Sequence, residues 1–522
     1  MSGDASPRFV RRRLAAPESL AGDFVADRKD ARALLATAGP TGPGGPRAGR
    51  LGAAAFTTTS AGTADALPEI VADGRGVLVT TGQQPGLFAG PLYVLYKALT
   101  AVAEARRWSA ETGGPALACF WVAGDDHDWE EVAAARLVDR EGQVRTFTLE
   151  PPPERAGRPV GPSPLPPEVD EAAASFAAAA GASEFSEAVF APLRAAYRAG
   201  TSFTGAFERV LAELLAGVDI AILDGGSSEV HGAAAPLLRR ALERAADCDA
   251  AFRAGTEAVR RAGYEPRLRP PDGGTHVFWD GPAGRVHLVR TPDGISAGPD
   301  GDPLPVAAWV ERLEQDPGRF SAGAALRPVL ESWLLPVGAT VLGPGEIAYW
   351  AQLPQLFAVL EVPLPAIVPR ASWTVVERKV DRWLDRVEAS PEELAAGTDG
   401  IEARIVASHR PERLEAAIRE ARSCVGRSFT EVEAAAQDEL PGIRSAIGKA
   451  RKHGFDAIGE LEATMDARVR EIMDVRIDQA RRAAAHLYPG GRPQERIASP
   501  FGYLALYGPA FLAALRRAHG LE

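Results

Sequence analysis

Residues Val77-Leu78-Val79-Thr80-Thr81 form a short apolar, β-branched run that ends in Gly82-Gln83-Gln84-Pro85-Gly86-Leu87-Phe88-Ala89-Gly90-Pro91. A helix-forming stretch follows, from Leu92 to Arg107. A buried strand, a glycine-rich turn and a helix with Pro at its first turn make the unit from which α/β proteins build anion and nucleotide sites. The turn's N–H groups and the helix N-terminus offer positive potential without a charged side chain. A second strand-like run, Ala118-Cys119-Phe120-Trp121-Val122-Ala123, delivers Gly124-Asp125-Asp126-His127-Asp128-Trp129-Glu130-Glu131. In a parallel sheet both loops open at the carboxyl edge, where such folds place ligands.

Each loop has more than one reading. A glycine-rich turn after a strand can be a tight connection and nothing more, but Gln83 and Gln84 put two amides beside a helix N-terminus. The acidic run is a solvated loop, or a hard-metal site of Asp125, Asp126, His127 and Asp128, or a general acid–base site in which carboxylates tighten the hold of His127 on its proton. Neither loop carries a G-x-x-x-x-G-K-[ST] or G-x-G-x-x-G fingerprint.

The run Thr81 to Tyr93, with Tyr96-Lys97 and Phe120 to Asp128, resembles the cysteine ligase of bacillithiol biosynthesis, the BshC family. Three further blocks fit the same resemblance: Leu326-Arg327-Pro328-Val329, Gly343-Pro344-Gly345-Glu346-Ile347-Ala348-Tyr349-Trp350-Ala351-Gln352-Leu353, and Pro493-Gln494-Glu495-Arg496 with Tyr507-Gly508. The family usually carries a glutamine-aspartate pair after the Arg-Pro, where this chain has Glu331-Ser332. The resemblance implies a Rossmann-like parallel-sheet α/β core with inserted connecting segments, a long-helix coiled-coil domain and a homodimer formed through it. It also implies addition of L-cysteine to glucosaminyl-malate by an amide bond. A free carboxylate is a poor acyl donor, so ATP with Mg, giving an adenylate or acyl phosphate, is expected.

On that footing the loop from Gly82 through Gly86 to Gly90 is expected to bind the activated anion, with Thr81, Tyr93 and Trp121 as substrate contacts. His127 is the expected base, with Asp126 or Asp128 orienting it and Gln83 and Gln84 beside it. Lys97 or Arg327 is expected to neutralise malate carboxylates or phosphate, and Asp125 to contact substrate. Glu346, Tyr349 and Gln352 fall at steps of three, which places a carboxylate, a phenol and an amide on one helix face. Tyr488, Gly490, Gly491, Arg492 and Arg496 form a glycine-and-arginine turn that is a second candidate for phosphate. Two other classes stay open: a metal-dependent hydrolase or transferase using the acidic run, and a non-catalytic scaffold presenting its helices.

A chain of 522 residues suffices for two or three domains. Its net charge of −11 argues against nonspecific nucleic-acid binding. Cys119, Cys248 and Cys424 are too widely spaced for a disulfide framework or a metal set. Arg11-Arg12-Arg13 is followed by no apolar segment of the secretory kind, and no stretch approaches the ~18 apolar residues of a membrane span. A cytoplasmic enzyme in a reducing compartment is the expectation. Lysine occurs only at Lys29, Lys97, Lys379, Lys449 and Lys452, so Lys97 on the motif helix reads as a choice of a compact ammonium over Arg.

Expected boundaries are a core over 1–372 with insertions at about 151–215 and 245–335, a helical arm over 373–487, and a return over 488–522. Gly39 to Gly49 reads as a Pro/Gly-rich connection, and Pro151 to Pro167 as an exposed linker or an insertion boundary. Val218 to Leu223 and Val337 to Leu342 read as further buried strands, and His276–Asp280 with Arg285–Arg290 as a β-hairpin. Asp224 reads as a ligand contact or as a helix cap. In the arm, Val376, Val380, Trp383, Leu384 and Val387, then Ile458, Leu461, Met465, Val469, Ile472 and Val475, follow helical spacing. Ser428 and Glu431 suggest a capping box, and Gly454 a turn between antiparallel helices.

Overall fold

The computed structural model describes residues 6–16, 18–35, 49–152, 157–269, 271–282 and 284–522; all but the last residue of the Gly39–Gly49 run lies outside them. Two compact units result, Met1–Val375 with Gln494–Glu522, and Val376–Pro493.

The first unit is organised by a six-stranded sheet in the order Ala366–Pro369, Val337–Leu342, Val77–Gln83, Ala116–Val122, Ile220–Asp224, Phe56–Thr58. The first five are mutually parallel and Phe56–Thr58 is antiparallel at the edge. Such strands are covered on both faces and need continuous apolar runs; Val77 through Thr81 are all buried. Alternation still sorts the side chains. Leu78, Cys119, Trp121 and Leu223 join the core on one face, and Val79, Phe120, Val122 and Ile222 the core on the other. The chain runs outward from Val77–Gln83 to Ile220–Asp224, then returns to the opposite side with Val337–Leu342. The strand order therefore reverses between Val77–Gln83 and Val337–Leu342, and a crevice opens there at the carboxyl ends.

Two excursions leave the sheet. The first carries the Ala134–Val138/Val144–Thr148 hairpin and the helices Glu168–Ala179, Ser186–Ala196 and Phe203–Leu214. The second carries the helices Ser228–Glu243 and Ala245–Arg261, then a four-stranded antiparallel sheet that includes the expected hairpin, Gly274–Gly281 with Gly284–Thr291. Asp224 serves its own turn, accepting Gly226 N–H at 2.9 Å, while Ser227 caps the next helix.

The proline-dense segment is not an exposed linker. Its residues 157–165 form a strap along the acidic loop: Val160 N–H donates to Asp126 O at 2.7 Å, Gly161 N–H to Gly124 O at 2.8 Å, and Arg285 N–H to Gly157 O at 2.9 Å. Its own Val160 and Leu165 are buried in the core. Proline lacks an N–H but keeps its carbonyl and a fixed φ, so a proline-rich run serves as well for a rigid strap as for a linker.

The second unit comprises the helices Arg378–Val387, Asp399–Ser408, Glu412–Glu439, Arg444–Ile472 and Asp474–Leu487. Two expectations fail here. Ser428 lies inside Glu412–Glu439 and caps nothing, and the reversal falls at Leu440–Ile443, not at Gly454. Gly454 sits mid-helix against Val425, whose Cγ1 would lie 3.0 Å from an added Cβ. The glycine therefore marks a close helix–helix approach, which a single-sequence reading confuses with a break. Of the expected apolar stripe, Met465 and Val469 are buried, whereas Leu461, Ile472 and Val475 are exposed by 51%, 63% and 70%. Ion pairs tie the long helices, among them Arg410–Asp466 at 2.6 Å and Arg422–Glu462 at 2.5 Å. No helix among the described residues is long and apolar enough to cross a membrane.

The strap–loop approach is testable. A Cβ at Gly161 would lie 2.4 Å from Thr204 Oγ1 and 2.7 Å from Gly124 Cα, so Gly161→Ala is expected to destabilise by about 1–3 kcal/mol through forced backbone shifts. Gly448→Ala, in open helix surface, is expected to stabilise by up to about 1 kcal/mol. Thermal unfolding of both variants checks the pair.

Candidate active site

The crevice is a cavity of about 490 Å³. Its walls come from the ends of three neighbouring strands: Gly82, Gln83 and Gln84; Trp121, Asp125, Asp126 and His127; and Gly343, Pro344, Gly345 and Glu346. Tyr93 and Lys97 enter from the helix Tyr93–Thr112, and Arg327 and Tyr349 from the helices Arg327–Leu334 and Pro344–Trp350.

Lys97 is 1% exposed. Its Nζ donates to Gly82 O and to Gln83 Oε1 (3.2 Å), and pairs with Glu346 Oε2 at 2.7 Å. An ammonium has three donors, and all three are used. Burial lowers its pKa, with Glu346 opposing the shift. Glu346 Oε2 also accepts Gly343 N–H at 2.8 Å, so this carboxylate both caps its helix and answers Lys97.

Arg327 donates from Nη1 to Glu331 Oε2 at 2.8 Å and from Nη2 to Tyr349 Oη at 3.2 Å. Arg370 and Glu495, each 2% exposed in its side chain, form a forked pair at 2.9 and 2.7 Å. Arg370 lies over the Tyr93 ring at 5.6 Å. Burial pushes the Tyr93 phenol up to about 12 and raises that of Tyr349; both are neutral hydroxyls at neutral pH.

On the acidic loop, Asp126 Oδ1 accepts His127 N–H at 2.7 Å and Asp126 Oδ2 accepts Gln84 Nε2 at 2.7 Å. The bond with the His127 side chain, then the Arg285 charge and Gln84, hold this carboxyl far below the usual range against its burial. His127 is exposed, with Nδ1 3.4 Å from Asp126 Oδ1 and 3.3 Å from Arg285 Nη1. Gln84 also reaches Glu131 at 3.1 Å. Asp125 Oδ1 meets His231 Nε2 at 3.0 Å. Burial works against the charged form of His231, but bonding to Asp125 outweighs it and its pKa is raised.

Other expected residues lie elsewhere. Asp128 is the N-cap of Trp129–Val132 and accepts Glu131 N–H at 3.1 Å. Thr81 Oγ1 donates across the sheet to Val341 O at 2.9 Å. Gly86 and Gly90 belong to a turn packed inward: Tyr197 Oη donates to Gly86 O at 2.9 Å, and Phe88 meets the Phe176 and Tyr197 rings at 4.8 and 5.1 Å. Leu92 N–H, at the start of the following helix, donates to Ala498 O at 2.9 Å. Gln352 is buried beyond the end of Pro344–Trp350, where its amide holds Arg267 N, Leu268 N and Leu268 O. Of the second candidate turn, Arg496 lines the cavity, while Tyr488, Gly490, Gly491 and Arg492 belong to the helical unit. The acidic run does not converge on a metal site: among the described residues no group of three or more His, Cys, Asp or Glu side chains is placed to hold a metal ion.

Sequence reasoning missed Phe278, Arg285, Arg370 and Glu131, all of which line the cavity. Phe278 and Arg285 arrive on the excursion hairpin, Arg285 standing 158 residues after His127, and no local motif marks them.

Comparison with known proteins gives a consistent result. The family model for bacillithiol biosynthesis BshC, N-terminal Rossmann-like domain, matches residues 56–371, and that for its C-terminal coiled-coil domain matches residues 373–519. A relative from Salinibacter ruber, named as a BshC cysteine ligase, is 30% identical over 456 residues, covering 86% of this chain and 82% of its own. The relative of that name from Heliobacterium modesticaldum is 30% identical over 460 residues with the same coverage. The one from Bacillus cereus is 24% identical over 447 residues, covering 84% and 82%.

Two measurements test the site's electrostatics. Lys97→Met strands the Glu346 carboxylate and is expected to cost about 3 kcal/mol, part of which Lys97→Met with Glu346→Gln restores; equilibrium unfolding of the single and double variants reads this. For His231, a raised folded pKa means that its pairing stabilises fully below the unfolded value of about 6.5 and is lost as pH rises through the folded value. The stability difference between the protein and its His231→Gln variant should therefore be largest near pH 6 and shrink at higher pH.

Proposed function

The chain belongs to the BshC family of bacillithiol biosynthesis, and on that premise we propose that it joins L-cysteine to glucosaminyl-malate through an amide bond in the cytoplasm, at the expense of a nucleotide triphosphate. The observation that carries this reading is convergence. Gln83, Gln84, Tyr93, Lys97, Asp125, Asp126, His127, Arg327, Glu346, Tyr349 and Arg496, drawn from every block of family resemblance, line one cavity at the reversal of strand order.

Amide formation needs a neutral amine, an activated carboxyl and a place for the proton. His127 takes one proton from the glucosamine ammonium; the resulting amine adds to the activated carboxyl carbon, the phosphate-bearing oxygen departs, and the nitrogen gives up its second proton to solvent. Asp126, held ionised by its hydrogen bonds, orients the imidazole. Gln84 fixes that carboxylate from the neighbouring strand end. Tyr349, kept protonated by burial and bonded to Arg327, faces the same cavity as a neutral hydroxyl for a polar substrate group.

A nucleotide, when bound, supplies the activation that a free carboxylate lacks. Arg496 is exposed at the cavity and has no carboxylate within ion-pairing distance among the described residues, so it suits phosphate. Mg²⁺ in such a role is held largely by the phosphates with one or two carboxylates, for which Asp126 and Glu131 are at hand. Tyr488, Gly490, Gly491 and Arg492 make a second candidate in the helical unit. There the exposed Leu461, Ile472 and Val475 suit a homodimer contact between copies of the arm.

Mass spectrometry of the purified protein with L-cysteine, glucosaminyl-malate and Mg-ATP tests the reading. Bacillithiol is expected with ATP and not without it. Product without nucleotide would remove the activation step, and no product in either case would sink the ligase reading. His127→Ala is expected to lower turnover by about 10²–10⁴-fold; unchanged turnover would remove His127 from proton transfer.

A further inference from the structure

The cavity's cations are not equivalent. Lys97 is neutralised by Glu346, Arg327 by Glu331 and Arg370 by Glu495, each at 2.7–2.8 Å. Arg285 has no carboxylate within ion-pairing distance among the described residues, the charges of Asp125, Asp126 and Asp280 reaching it only from farther off, yet it is half-buried and firmly placed. Its Nε donates to Ser321 Oγ at 2.9 Å, Nη2 to Ala322 O at 3.3 Å, and Nη1 faces His127 Nδ1 at 3.3 Å. The Phe278 ring lies under the guanidinium at 3.9 Å. A guanidinium has five N–H donors in a fixed fork. Two are accounted for, leaving both on Nη1 and one on Nη2, which include the parallel pair a carboxylate uses when it binds in the bidentate manner. Arg496 lacks an acidic partner too, but it is exposed and solvated; Arg285 has its orientation fixed before anything binds.

We propose that Arg285 binds a substrate carboxylate beside His127, and so takes the role that Lys97 and Arg327, already paired, do not have free charge to fill. The proposal rests on the ligase reading, in which two substrates bring carboxylates: L-cysteine and the malate group.

The test is steady-state kinetics with each substrate varied in turn, on the intact protein and on Arg285→Gln and Arg285→Lys, together with calorimetric titration of L-cysteine, L-malate and inorganic phosphate. Arg285→Gln is expected to raise KM for one carboxylate substrate about tenfold or more, with a smaller change in kcat and a matching loss in the titration. Arg285→Lys keeps the charge and the stem over Phe278, and is expected to recover part of that loss. A loss confined to L-cysteine assigns its carboxylate; a loss confined to glucosaminyl-malate and L-malate assigns the malate. The proposal is overturned if both KM values stay within about twofold and both titrations are unchanged, or if only phosphate binding depends on Arg285. Should the intact protein make no product, the ligase reading falls, and the titrations alone still decide the role of Arg285.

Discussion

Lys97 joins the two halves of the sheet where they diverge. A parallel α/β sheet reverses its order at one point, and there the loops after the flanking strands have no helix between them to hold them in register. In this protein one ammonium, buried to 1% exposure, reaches the Gly82 carbonyl and the Gln83 amide on one side and the Glu346 carboxylate on the other. Taking both charges out of water is costly, and mutual pairing with satisfied hydrogen bonds offsets it. A guanidinium, planar and forked, would not suit three acceptors converging from three directions. That is a physical reason for a lysine here in a chain that uses arginine at most of its cationic positions.

The same logic orders the rest of the cavity. Glu331 and Glu495 stand behind Arg327 and Arg370, so these arginines act chiefly as fixed hydrogen-bond donors to Tyr349 and to the backbone around Ala371. Arg285 and Arg496 are the cavity's cations without a carboxylate at ion-pairing distance among the described residues, although Asp125 and Asp126 act on Arg285 from farther off. Glu331, in the block where this chain departs from the family pattern, pairs with Arg327 at 2.8 Å. One of its oxygens, Oε1, is buried without a hydrogen-bond partner, and we have no physical account of it.

The acidic loop shows how a single run of residues divides its labour. Of four consecutive side chains, Asp125 goes to His231, Asp126 to Gln84 and back to His127, His127 to the cavity mouth, and Asp128 to a helix cap. Adjacent residues point in different directions as the chain leaves a strand, so a cluster in sequence need not be a cluster in space. The strap of residues 157–165, bonded to Gly124 and Asp126, holds that divergence in place.

The sequence by itself determined the four central strands of the sheet, because buried parallel strands need apolar runs and those runs end in polar loops at a common edge. It also determined that Gln83, Gln84, Asp126, His127 and Glu346 share a cavity, since their positions follow from strand ends and helix starts. What it could not distinguish were local signals with two physical causes: Gly454 as a turn or as a close approach, Pro151 to Pro167 as linker or strap, Gln352 as a ligand contact or a buried clamp. Tertiary structure alone decided those. It alone brought Phe278 and Arg285 to the cavity from a hairpin far along the chain, because the placement depends on how an excursion packs back on the sheet. And it alone decided which cations gain a close acidic partner, since pairs such as Lys97–Glu346 and Arg370–Glu495 depend on distances of under 4 Å between residues that the sequence holds far apart.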